Sequence, residues 1–164
     1  MDHVDKILAQ WRAERPDLDV RAMGLFGRMA RLMGHLRGSI EANLATHGLT
    51  AANFDVLATL RRAGAPYALS PGDLLATMMI TSGTLTSRID QLEKMGLVAR
   101  TANPQDGRSV IVRLTPIGFD LIEAAVTSHV ATQTRLVAGL AEADFATLDR
   151  LIGTYLAEFE QDQS

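Results

Sequence analysis

The chain has 164 residues, 47% of them hydrophobic and 21% charged, with mean hydropathy +0.08 and no cysteine. This composition excludes a largely disordered chain, disulfides, thiolate metal sites and thiol redox sensing, and no apolar run approaches the roughly 18–20 residues of a membrane span. The net charge of −3 is uneven: residues 1–50 carry +1, residues 51–114 carry +2 and residues 115–164 carry −6. The central segment therefore permits a nucleic-acid face while the acidity sits elsewhere. The first residues, Met1 to Trp11, are acidic from the second position and lack a signal-peptide layout, which predicts a soluble, cytoplasmic protein without a membrane partner.

Residues 3–13 place Val4, Ile7, Leu8 and Trp11 on one helical face. Arg15-Pro16-Asp17 ends that helix. A longer helix is predicted from about Asp19 to about Ala45, with Met23, Phe26, Met29, Met33, Leu36, Ile40 and Leu44 in its stripe. Gly24, Gly27, Gly34 and Gly38 each lower its intrinsic helicity by roughly 1 kcal/mol relative to Ala. Their retention predicts close helix–helix packing, either between subunits, which we favour, or within one chain.

Thr50 opens a helix to about Ala63 with Phe54, Val56, Leu57 and Leu60 inward, and Gly64 closes it. Residues 65–68 read as a linker. Ser70-Pro71-Gly72-Asp73 combines an N-cap, an N1 proline and an N3 acid, so a short helix is predicted over 71–77. Met78-Met79-Ile80 form a turn and Thr81 caps the next helix. Two helices joined this tightly fit helix-turn-helix geometry.

In that second helix Leu85, Ile89, Leu92 and Met95 form the expected buried side. Gly83, Ser87, Asp90 and Lys94 lie opposite, with Thr84, Thr86 and Gln91 beside them. Small hydroxyl and amide side chains can approach base edges and phosphates, so Thr81, Ser82, Thr84, Thr86, Ser87 and Gln91 are the candidate DNA-contacting residues. The competing reading is an ordinary solvated face, which usually carries more Glu and Lys.

Two strands follow, Leu97–Thr101 and Ser109–Leu114, joined by the polar turn Asn103-Pro104-Gln105-Asp106-Gly107-Arg108. Val110, Val112 and Leu114 alternate with Ser109, Ile111 and Arg113, and Arg108 stands at the tip. Two long amphipathic helices, about Pro116–Ala138 and about Glu142–Glu160, complete the chain and need a partner for their apolar faces.

This order of elements, together with Thr81-Ser82-Gly83-Thr84, Leu92-Glu93-Lys94-Met95-Gly96-Leu97-Val98, Asn103-Pro104-Gln105-Asp106-Gly107-Arg108 and Leu114-Thr115-Pro116-Ile117-Gly118, resembles the MarR family of transcriptional regulators over about residues 20–160. The resemblance implies a mainly α fold with a small β wing, a winged helix-turn-helix with N- and C-terminal dimerisation helices. The whole chain, 1–164, would be one such domain, with 1–50 and 115–164 dimerising and 51–114 forming the winged helix-turn-helix. It implies a homodimer on double-stranded DNA, recognition helices in successive major grooves and Arg108 reaching toward the minor groove. The family's wing signature is Asp-x-Arg, often Asp-Arg-Arg. Here Asp106, the structural acid of the wing, is followed by Gly107 and Arg108, so one frequently basic position is glycine.

The extra tryptophan-bearing helix, with Glu14-Arg15-Pro16-Asp17, Phe54-Asp55-Val56-Leu57, Leu69-Ser70-Pro71, Ser87-Arg88-Ile89-Asp90 and Val98-Ala99-Arg100, is similar to the urate-responsive subgroup. That similarity implies a ligand site of Trp11, Asp55, Arg88 and Arg100. The chemistry suits urate, a planar monoanion near neutral pH. An indole offers a stacking face and two guanidiniums offer bidentate hydrogen bonds. A nearby carboxylate would hold an arginine in the empty site and be repelled by the anion. Arg88 lies about 60° from Leu85 on the helical wheel, a place suited to lining a pocket rather than reading bases. The plain alternatives are a core Trp11, a helix-dipole Asp55 and a surface Arg88.

The function expected is a ligand-responsive repressor released by a small anionic or aromatic effector such as urate. A sensor of phenolic or aromatic carboxylates and a non-DNA-binding interaction module are the alternatives. No cofactor is expected, and His3, His35, His47 and His129 lack ligand-type clustering for a metal. An enzyme is not expected: there is no His-Glu-x-x-His, no Gly-x-Ser-x-Gly and no phosphate-binding loop.

Overall fold

The computed structural model describes residues 1–78, 82–103 and 106–160, with the side chains of residues 82 and 106–109 outside that description. The chain divides into two compact units, Met1–Ala51 and Ala52–Ser164.

The first unit is a pair of helices, α1 (His3–Glu14) and α2 (Arg21–Ala45). Asp2 and Asp5 close a capping box at the start of α1, each carboxylate accepting from the other's backbone N–H at 2.9 and 2.8 Å. Val4 and Leu8 are buried with Val20. They press on α2 at its glycines: a Cβ on Gly24 would lie 2.8 Å from Leu8 Cδ1, and one on Gly27 would lie 3.3 Å from Val4 Cγ1. These two glycines therefore admit α1 within the chain, which corrects the expectation that they serve subunit association. Gly34 and Gly38 differ, because an added Cβ would meet nothing within 4 Å.

Arg28 of α2 ties the pair together from outside. Its Nε donates to Asp2 at 2.8 Å and its Nη2 to Asp5. Chiefly through the Arg28 side chain, the Asp2 carboxyl is held below its ordinary value of 3.8. A lowered folded-state pKa means stability that is present above the unfolded value and is lost as pH falls through the folded one. Docking of α1 should therefore weaken as the pH drops below 3.8. The emission of Trp11, the only tryptophan, is expected to shift to the red in that range, and Arg28→Ala should diminish the acid-dependent step.

The second unit begins with α3 (Ala51–Arg62), on which Val56, Leu57 and Leu60 are fully buried as the periodicity predicts. Residues 65–68 are not only a linker: Ala68–Leu69 form strand β1. A two-residue strand has too little alternation to show in a sequence. It exists because β3 (Asp106–Leu114) offers a free edge, pairing Ala68 with Arg113 and Leu69 with Val112. Tyr67, at φ 57, brings the chain onto that edge, and its carbonyl accepts from Leu114 N at 3.1 Å.

Helix α4 (Pro71–Thr77) carries the expected cap: Ser70 Oγ accepts from Asp73 N at 3.1 Å, with Pro71 at the first turn. Residues 79–81, where the turn and the Thr81 cap were expected, lie outside the described residues. Helix α5 (Ser82–Lys94) buries Leu85, Ile89 and Leu92. Met95 does not join them and is 42% exposed. It falls past the helix end, where Gly96 at φ 72 turns the chain. Leu97 N donates to Leu92 O and Gly96 N to Glu93 O, both at 2.9 Å, the paired bonds of a Schellman stop.

The sheet runs β1-β3-β2, all antiparallel, with β2 spanning Val98–Asn103. The strands reach further into the expected turn than the polar residues suggested, since Asn103 pairs with Asp106 after a register shift at Ala102. Cross-strand hydrogen bonding, blind to side-chain polarity, carries the ladder past the apolar residues. Val112 and Leu114 are buried, while Val110 is 41% exposed, because the pleat runs beyond the core there. Helices α6 (Pro116–Val137) and α7 (Glu142–Glu160) follow. The architecture is mainly helical with a small antiparallel wing, a winged helix-turn-helix.

Candidate nucleic-acid interface and effector site

Helix α5 is amphipathic, with one side exposed and the other buried. Thr84, Thr86, Ser87, Asp90, Gln91 and Lys94 are exposed, as is Gly83, while Leu85, Ile89 and Leu92 anchor the opposite side. The candidate contact residues Ser87 and Gln91 thus lie on the outward side, with Thr84 and Thr86 exposed on its two flanks. The side chains of Ser82, Asp106 and Arg108 lie outside the described residues, as does Thr81. The backbone of Asp106 and Arg108 belongs to β3.

The sheet decides where Arg100 points. On β2 it is two residues from Val98, which is 2% exposed, and its cross-strand partner is Val112, which is fully buried. Side chains two apart on a strand share a face. Arg100 is therefore on the inner face, toward α5, and its side chain is only 30% exposed. Its Nη2 donates to Asp90 and its Nη1 to Glu93, while its backbone N–H donates to the Glu93 carboxylate at 3.1 Å. Asp90 first, and Glu93 after it, hold the guanidinium above its ordinary value against the opposing effect of burial. The wing's first strand is thereby tied to the helix that precedes it.

The other proposed ligand residues are placed as follows. Arg88 is half-buried on the flank of α5, and among the described residues it has no ion pair. Asp55 is exposed on α3, where its backbone carbonyl accepts from Thr59 Oγ1 at 2.7 Å. No described arginine pairs with its carboxylate. The carboxylates that pair with Arg100 are Asp90 and Glu93, not Asp55. Trp11 belongs to α1 of the first unit and is 40% exposed. Nearby chemistry on α3 is structural: Arg61 pairs with Glu123 of α6 at 2.6 Å and sits over the rings of Tyr67 and Phe119. Sequence reasoning missed the acid pair on Arg100. Its signal was two carboxylates three residues apart on one helix flank, with an inward-facing strand arginine after the turn.

Among the described residues no group of three or more His, Asp or Glu is placed to hold a metal, and no helix is long and apolar enough to cross a membrane.

A capped short helix, an amphipathic helix with a small polar outer face and a paired wing define a winged-helix DNA-binding regulator. The comparisons agree. A model of the MarR family matches residues 47–109. The HTH-type transcriptional regulator PecS of Dickeya dadantii is 41% identical over 150 residues, covering 92% of this chain and 90% of that one. A mutant MarR from E. coli complexed with operator DNA superposes with a TM-score of 0.70 at 26% identity, over 89% of this chain and 97% of that one. A structure of BpsR from Bordetella bronchiseptica, described with regulation of its DNA binding by 6-hydroxynicotinic acid, has a TM-score of 0.68 at 28% identity and covers 79% and 90%. The chain belongs to the MarR family and is a DNA-binding transcriptional regulator.

Proposed function

We propose that this regulator is a homodimeric, cytoplasmic repressor of a pseudo-palindromic operator, released when a small planar anion, urate in the first instance, binds at Arg88 and Arg100, with Asp55 and Trp11 completing the set. The observation that carries the effector reading is the position of the two arginines: one rides on α5, and the other is tied to α5 from the wing. An anion engaging either arginine acts directly on the helix proposed to meet DNA. By linkage it relieves repression only through its different affinity for the two states. Thr81, Ser82, Thr84, Thr86, Ser87 and Gln91 are the proposed base and phosphate contacts, and Arg108 the wing contact.

Dimerisation is supported by α7, which buries no residue within the chain yet carries Leu151, Ile152, Leu156 and Phe159 at 51–57% exposure. Residues 1–50 and 115–164 are the proposed dimerising segments.

Titrating urate while following Trp11 emission, with operator release in parallel, tests the effector. A saturable change with urate and loss of operator binding over the same range are expected. The second reading, an aromatic carboxylate effector, is favoured by the BpsR relative and its 6-hydroxynicotinic acid. It prevails if that acid, and not urate, gives both signals.

A further inference from the structure

We propose that Arg100 masks an acid of the DNA-reading helix, and that an anion binding Arg100 relieves repression by unmasking it. This inference rests on the reading above that the effector engages Arg100. The acid is Asp90. It lies on the exposed side of α5 with Ser87 and Gln91, the side chains proposed to meet DNA, and its side chain is 50% exposed. Its ion pair among the described residues is with Arg100. Glu93 is held differently, because it also accepts from the Arg100 backbone N–H, a bond that survives when the guanidinium turns away. Asp90 is therefore the group that release sets free.

The chemistry is a competition for one fork. A guanidinium binds a carboxylate or a planar anion through the same N–H groups. With the fork on Asp90 and Glu93, the reading helix presents its negative charge already neutralised. With the fork on an effector, Asp90 faces the phosphate backbone unpaired, inside the distance over which salt leaves charges coupled. Lys94, one turn further along α5, is the nearest cation on the helix that can answer a freed Asp90. Pairing there withdraws a positive charge from the DNA face, so both fates of Asp90 weaken binding.

Duplex binding by the full-length protein tests this first without any effector. Arg100→Ala is expected to weaken binding by about tenfold at low salt, and Asp90→Asn in the same chain to restore it to within about threefold of wild type, since the lost term is electrostatic. If Arg100 only supports the wing, neutralising Asp90 restores nothing, and the proposal is overturned. In the second arm Asp90→Asn alone should bind DNA about threefold more tightly than wild type. It should still bind urate by Trp11 emission, yet urate should no longer displace it from DNA. Retention of wild-type release by Asp90→Asn also overturns the proposal. Circular dichroism of each variant separates these outcomes from unfolding. A wild-type protein indifferent to urate removes the effector reading, while the comparison of Arg100→Ala with Arg100→Ala/Asp90→Asn still decides whether Arg100 masks Asp90.

Discussion

Gly118→Ala is expected to destabilise the protein by about 3 kcal/mol or more, the upper range for overpacking a filled site. The direction is diagnostic. In a helix open to solvent this substitution would stabilise by about 1 kcal/mol, because alanine is the better helix former. Here the added Cβ would lie 1.9 Å from the carbonyl oxygen of Leu97 and 2.8 Å from its carbonyl carbon. The obstacle is backbone and cannot rotate away. Three bonds pin the contact: Thr115 N donates to Leu97 O at 3.1 Å, Thr115 Oγ1 donates to Gly96 O at 2.7 Å, and Thr115 Oγ1 accepts from Gly118 N at 3.0 Å. The start of α6 is thus stitched to the turn between α5 and β2. Thermal unfolding checks the expectation: at about 2–4 °C per kcal/mol for a chain of this size, Tm should fall by about 6–12 °C. An unchanged or raised Tm would show that α6 does not sit against Leu97. Because the same turn sets the wing against α5, operator binding should weaken with it.

Replacing Leu148 and Ile152 of α7 by lysine is expected to break the proposed dimer and with it operator binding. The two positions are one turn apart on the helix and are 41% and 55% exposed within the chain, so the substitutions remove nothing from the monomer's own core. In a dimer that covers this face, four half-exposed apolar side chains are lost at about 0.7–1.5 kcal/mol each, about 3–6 kcal/mol in all. At 1.4 kcal/mol per tenfold, that is about two to four orders of magnitude in the dimer constant. Light scattering should show a monomer at micromolar concentration, with helicity largely retained. A variant that remains dimeric and still binds operator would place the subunit interface elsewhere.

The helices were largely legible in the sequence because each announces itself locally. Val4 and Leu8, Val56, Leu57 and Leu60, and Leu85, Ile89 and Leu92 recur at helical spacing and are buried. Ser70 with Asp73, and Thr115 before Pro116, mark helix starts by chemistry confined to one turn. The polar face of α5 was legible for the same reason: it is what the buried periodicity leaves over. Met95 shows the limit of that reasoning. The stop at Gly96 is legible in the sequence, but the wheel still counts Met95 with the buried side although it lies past the last regular residue of α5.

The residue types of the proposed effector set could be named from the sequence, but not their pairing. Trp11, Asp55, Arg88 and Arg100 could be picked out by resemblance, and the carboxylate expected to answer an arginine was Asp55. Arg100 instead lies on Asp90 and Glu93, because the register that sets Arg100 opposite Val112 turns it inward toward α5. The glycines of α2 divide in the same way. Composition reported four costly residues, and only the approach of Leu8 and Val4 shows that Gly24 and Gly27 admit α1.

By itself, then, the sequence determined the order and type of the helices, the outward face of α5 and the absence of any thiol chemistry. These are properties of local periodicity, capping and composition. Strand β1, the contact that demands Gly118 and the carboxylates that hold Arg100 were decided by tertiary structure. Each depends on which residues distant in the chain come to lie within a few ångströms, and spacing along one segment carries no record of that distance.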